Sequence, residues 1–141
     1  MKSRFQFVAL LISCYFLSCY SKNEENAKYR QYLYQGEQLY SVHCQNCHQK
    51  DGSGLGQIIP PLNNNIAKDN MGKTICAIKY GRNEDTPING IQYLGKMPAN
   101  TRLTTLEIAE ISTYITNAWD EKNRRVTIKQ VDSLLLNCGN Y

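Results

Sequence analysis

From Phe5 to Leu17 the chain is almost wholly apolar, preceded by the short basic head Met1–Arg4. The run is too short to span a bilayer comfortably and suits the hydrophobic part of an export signal. Tyr20 to Lys28 is polar and charged without periodicity, which predicts a tether rather than a packed element. A helical period then sets in over 28–45, with Leu33, Tyr40 and Gly36 on the inner face. Residues 49–69 hold spaced glycines, Pro60, Pro61 and three consecutive asparagines, and predict a long irregular loop. Met71, Ile75 and Ile78 predict a second helix over 70–80, with Gly81 as its stop. Thr104 and Glu107 form a capping-box pair, with Leu103 and Ile108 placed as a hydrophobic staple, so a helix is expected from 105 to about 118. After a polar stretch at 119–126, Val131, Leu134, Leu135 and Cys138 fall on one face of a last helix within 127–138. That stripe reads as docking onto the chain's own core, a partner-binding helix being the alternative.

The 141 residues are 42% apolar, enough for one modest core and too apolar for a disordered chain. A domain this small is marginal on burial alone, so cross-links or a cofactor would help it. The net charge is +4, and with Lys2 and Arg4 set aside the rest carries 14 basic and 12 acidic side chains. Those charges are scattered, so nucleic acid is excluded as a partner.

Each of the six cysteines needs a role. Leu17-Ser18-Cys19 resembles a bacterial lipoprotein cleavage site, in which Cys19 would become the first, lipid-bearing residue. Leu11-Ile12-Ser13-Cys14 matches that motif more closely but leaves only about eight apolar residues before it. The expected division is a signal at 1–18 and a polar tether at 19–31, with ordinary signal cleavage or an uncleaved anchor as the alternatives. Such a chain would sit on the periplasmic side, anchored to the membrane by an N-terminal lipid. In an exported protein Cys76 and Cys138 form the one even pair left over, and a bridge between them is expected; two separate buried thiols are the alternative.

Cys44 and Cys47 belong to Cys44-Gln45-Asn46-Cys47-His48, a C-x-x-C-H motif. Two residues between the thiols match the separation of the two vinyl groups of haem, and the adjacent histidine supplies imidazole to the iron. One covalently bound haem c is therefore expected. A thioredoxin-like pair would want a βαβ setting, and a zinc site a second ligand pair. A second axial ligand is sought among Met71 and Met97. Met97 lies in Gly95-Lys96-Met97-Pro98-Ala99, where the proline stiffens the loop and keeps Met97 out of helical geometry. Met71 opens a helical segment and reads as core. Lys96 or an open iron position are the other possibilities.

Cys44-x-x-Cys47-His48 followed by Met97, with Gly36-x-x-x-Tyr40-x-x-x-Cys44 before it and Ile111 and Tyr114 after it, resembles the class I cytochromes c. The resemblance covers residues 32–119. It implies an all-α fold with helices wrapped around one haem, here in a domain at 32–120; the striped helix within 121–141 is an extra C-terminal element that departs from the family pattern. It also implies that the Pro60 carbonyl, or that of Pro61, accepts a hydrogen bond from His48, and that Leu62 packs against the haem. The expected activity is single-electron transfer between respiratory partner proteins that dock transiently, not catalysis. A small peroxidase or gas sensor would need an open distal position, and His43 lies too close to the attachment segment to serve it. A subunit serving one fixed neighbour would share the same chemistry.

Overall fold

The computed structural model describes residues 2–63, 70–82, 87–88, 90–120 and 123–140, the side chains of 2–22 and 140 excepted. The described chain forms α1 (Lys2–His43), α2 (Gln45–His48), α3 (Met71–Tyr80), α4 (Thr105–Asn117), α5 (Ile128–Leu135) and a 3-10 turn at Cys138–Asn140. Among the described residues there is no strand, only three isolated bridges, Leu55 with Ile59, Arg82 with Met97 and Ile88 with Ile91. The architecture is all-α.

Two compact units divide the chain, Met1–Gln31 and Tyr32–Tyr141. In the first, the expected helix start at residue 28 is corrected: residues 20–28 are themselves helical, and α1 begins far before residue 28. No glycine or proline interrupts the chain before Gly36, and Lys28 Nζ meets Glu24 Oε1 at 2.7 Å one turn away. Among the described residues no helix is long and apolar enough to cross a membrane. The side chains of Cys14 and Cys19 lie outside the described residues.

In the second unit, Tyr40, Ile75, Ile78, Leu103, Ile108, Ile111, Ile115, Val126 and Val131 build one core from α1, α3, α4 and α5. The closest approach is at Gly36. A side-chain carbon there would collide with the Glu110 carbonyl oxygen and lie 2.8 Å from Tyr114 Cβ. The missing side chain is what lets the two helix backbones touch.

α4 starts as its capping box directs: Glu107 Oε2 accepts from Thr104 N at 2.7 Å, and Thr104 Oγ1 accepts from Glu107 N at 3.3 Å. Both staple residues, Leu103 and Ile108, are buried. α5 carries a second box not singled out in the sequence, with Thr127 N donating to Gln130 Oε1 at 2.8 Å and Gln130 N to Thr127 Oγ1 at 3.3 Å. The T-x-x-Q spacing was its signal.

The C-terminal extension is part of the core. Thr113 Oγ1 accepts from Val126 N at 3.0 Å, and Asn117 exchanges hydrogen bonds with the Arg124 backbone at 2.9 and 3.1 Å. These buried polar groups of α4 fix the segment that leads into α5, while Arg125 lies 5.1 Å over the Tyr32 ring. A disulfide joins Cys76 of α3 to Cys138, 62 residues apart in sequence. The expectation that Cys138 lies on the last helix is corrected: α5 ends at Leu135, and Cys138 opens the 3-10 turn.

Candidate functional site

Cys44 closes α1, its amide donating to the Tyr40 carbonyl at 2.9 Å, and the chain turns at once into the single helical turn Gln45–His48. Both thiols of the motif are free; Cys44 is half-buried and Cys47 exposed. Burial, and then the neighbouring Cys47, pushes the Cys44 thiol up to about 12. A thioredoxin-type cysteine has its thiol pulled down; that of Cys44 is pushed the other way.

His48 is buried, and its Nδ1 lies 3.1 Å from the Pro60 carbonyl oxygen. A carbonyl only accepts, so Nδ1 carries the proton and donates. The bond fixes ring and tautomer and leaves Nε2 as the nitrogen with a lone pair to offer a metal. Burial holds the imidazole below its usual pKa, with the Pro60 bond opposing.

The loop that delivers the Pro60 carbonyl is built from its own backbone. Gly54 N donates to His48 O at 3.1 Å, Leu55 N to Ile59 O at 2.9 Å and Leu62 N to Gly52 O at 2.7 Å. Gly54 has φ +69°, and a side-chain carbon there would strike the Ile59 carbonyl oxygen. Leu62 is half-buried against the core. Sequence reading missed one brace: the Tyr40 hydroxyl donates to the Gln49 carbonyl at 2.7 Å, holding Gln49 at φ 66°. Nothing in the spacing of these two residues marks that contact.

Met97 is reached from another direction. It pairs with Arg82 in an isolated antiparallel bridge, with Arg82 N donating to Met97 O at 2.7 Å and Met97 N to Arg82 O at 2.9 Å. A cavity of about 440 Å³ opens beside it, lined by Tyr80, Gly81, Arg82, Lys96, Met97, Pro98 and Ala99. Cys44, Leu62, Met71 and Met97 all pack against the same core, but Met71 does not line the cavity. His43 is exposed, and its Nδ1 lies 3.3 Å from Asn100 Nδ2. Tyr93, four residues before Met97, is buried. Trp119 is engaged with Tyr40 and Tyr114, their ring centres 5.2 to 6.0 Å apart.

A model of the cytochrome c family matches residues 34–119, from within α1 through the end of α4, and takes in Cys44, Cys47, His48, Pro60 and Met97. The chain belongs to the cytochrome c family. It is also similar to cytochrome c-552 of Thermus thermophilus, 28% identical over 94 residues that cover 63% of this chain and 71% of that protein. A second cytochrome c-552 of the same organism is 28% identical over 94 residues, and the match covers 63% of this chain and 63% of that protein.

Cytochromes c hold haem c covalently, and this chain, with one such domain, is a haem c electron carrier with a single haem. The residues present fit that cofactor. Two uncommitted thiols lie three positions apart in the chain, the adjacent imidazole has one nitrogen engaged and one to offer, and a half-buried thioether borders a cavity that Cys44, Cys47 and His48 do not line. The all-α fold of the family is the fold observed.

Proposed function

We propose that Cys44 and Cys47 hold the haem through thioether bonds, that His48 and Met97 are its two axial ligands, and that the protein passes single electrons between respiratory partners. The observation that carries this reading is the His48–Pro60 contact, 3.1 Å long and made by a buried ring. It commits Nδ1 and leaves Nε2 for iron. Haem so bound supplies one iron that alternates between ferric and ferrous. The protein's residues do the rest. Histidine with thioether ligation favours the ferrous state and raises the potential. The Nδ1–H···O=C bond increases the basicity of His48. Leu62 lends the cofactor an apolar wall. Arg82 and Tyr80, at the cavity beside Met97, are suited to the anionic propionates.

The partners in this reading are redox proteins that dock transiently on an exposed haem edge, with Lys50 and Lys96 bordering it. The chain is exported: Lys2, Arg4 and the apolar run supply the signal at 1–18. Cys19 carries the lipid in this reading and residues 19–31 link the membrane to the electron-transfer domain at 32–120, with 121–141 as its C-terminal extension. The mass of the mature N-terminus distinguishes Cys19 from Cys14.

The test of the ligand set is the visible spectrum of the haem-loaded protein, oxidised and reduced, with and without carbon monoxide. The expected result is low-spin bands, a methionine–iron charge-transfer band in the ferric form that Met97→Ala abolishes, and no response to carbon monoxide. A high-spin spectrum that responds readily to carbon monoxide would overturn the Met97 assignment and favour a peroxidase or gas-sensing role.

A further inference from the structure

The loop that carries Met97 is fastened just before it by Leu94 N and Gly95 N, which donate to the Gln57 and Ile58 carbonyls at 2.9 Å each, and from Met97 onward mainly by α3 and the residues that follow it. Asn100 N donates to the Ile78 carbonyl at 3.0 Å. Lys79 Nζ donates to the Thr101 and Leu103 carbonyls at 3.0 and 2.8 Å. Gly81, at φ +76°, passes so close that a side-chain carbon would lie 2.7 Å from both Met97 O and Ala99 N. Arg82 then pairs with Met97 itself. Ile78, Lys79, Gly81 and Arg82 thus set where the thioether sits.

α3 in turn is tied down from its far side. Cys76, two residues before Ile78, is buried and bridged to Cys138. Cys138 follows α5, whose Val131 is fully buried in the core with Ile75 and Ile78. The covalent tie therefore joins the C-terminal extension to the helix that positions the Met97 loop. The matched family domain ends at residue 119, so Cys138 lies outside the part of the chain that the family model describes.

We propose that the Cys76–Cys138 bridge is a positioning element for Met97: it locks α3 against the C-terminal extension so that Ile78, Lys79 and Arg82 hold the loop with its thioether on the iron. The inference rests on Met97 being the axial ligand. Without the bridge α3 keeps its apolar packing, but its loop-holding end gains freedom. The Met97–iron bond is then the first to break, because it depends on the summed placement of the whole loop.

The test uses the haem-loaded full chain with a Cys76→Ser/Cys138→Ser pair, which leaves no new thiol to compete for iron. The expected result is unchanged helical signal and covalent haem, with the methionine–iron band weakened in the ferric form. The ferrous form gains affinity for carbon monoxide in proportion to the Met-off fraction, so a rise of about tenfold in that fraction gives a rise of about tenfold in affinity. A Lys79→Leu variant, bridge intact, weakens the same band by cutting the link between α3 and the loop. If the serine pair does not fold, a Cys76→Ala/Cys138→Val pair, which fills the same space with apolar atoms, is read in the same way. An unchanged band and no response to carbon monoxide in a folded bridge-less variant would overturn the inference, as would band loss that only accompanies loss of helix. Parent protein and Met97→Ala are measured alongside: if the parent lacks the band, or Met97→Ala keeps it, the ligand assignment fails instead.

Discussion

Residues 44–62, which carry the attachment motif, and residues 96–103, which carry Met97, are held in different ways. The attachment segment bonds mainly to itself: His48 reaches Pro60, Gly54 reaches His48 and Leu62 reaches Gly52, all within a short stretch of sequence. α1 braces it through Tyr40, whose carbonyl accepts from Cys44 N and whose hydroxyl donates to the Gln49 carbonyl. The Met97 loop is fastened instead by other elements, by Ile78, Lys79 and Arg82, and at Asn100 by His43. A self-bonded loop keeps its geometry whenever its own backbone closes. A loop hung on distant residues keeps it only while those residues stay fixed, so the Met97 side is the one expected to yield under strain.

The strongest test of this difference is to strain each side at its tight glycine. Gly54→Val and Gly81→Val each force a β-branched residue into the left-handed region and against a backbone atom, and each is expected to cost about 3 kcal/mol in denaturant unfolding. They should differ in the spectrum. Gly81→Val abolishes the methionine–iron band, whereas Gly54→Val retains it and instead disturbs the His48–Pro60 bond, which shows as a shifted potential. Identical spectral changes in the two variants would contradict the difference in how the sides are held.

A smaller effect is expected at the far anchor of the Met97 loop. Thr104→Ala removes the hydroxyl that caps α4 and should cost about 1 kcal/mol at neutral pH, read from the urea midpoint. The Thr104 hydrogen bonds hold the Glu107 carboxyl below its usual range. A lowered carboxylate contributes stability above its unfolded pKa and loses it as pH falls through the folded one. The deficit of the variant should therefore shrink on acidification.

The least effect is expected at the crossing of α1 and α4. Burial, and then the nearby Glu107, holds the Glu110 carboxyl above its usual range. Its sign is opposite: stability is present at low pH and lost as pH rises through the folded pKa. Glu110→Gln should melt higher than the parent at neutral and alkaline pH and equal it below the unfolded carboxylate range, with no change in either side's spectrum. A variant less stable than the parent at pH 8 would refute the assignment.

The local half of this design was legible in the residues. Cys44, Cys47 and His48 announce themselves by spacing, because thioether attachment and ligation by the next residue demand contiguity. Thr104 and Glu107 likewise announce a helix start, because a capping box acts over three residues. Thr127 and Gln130 carry the same signal at the same spacing. The polar stretch 20–28 misled for a related reason: absence of an apolar period excludes a buried face, not a helix, and an uninterrupted run with an i,i+4 ion pair still winds.

Residue order alone specifies the all-α character and the attachment motif, since each depends on residue identities a few positions apart. Packing specifies the rest. Only the folded chain brings Tyr40 to Gln49, Lys79 to Thr101 and Leu103, and Arg82 to Met97, because those contacts span nine to twenty-four positions and depend on how helices pack. Packing also puts Cys138 in a turn beyond α5 rather than on it, since a helix ends where its caps and neighbours stop it, not where its apolar stripe does.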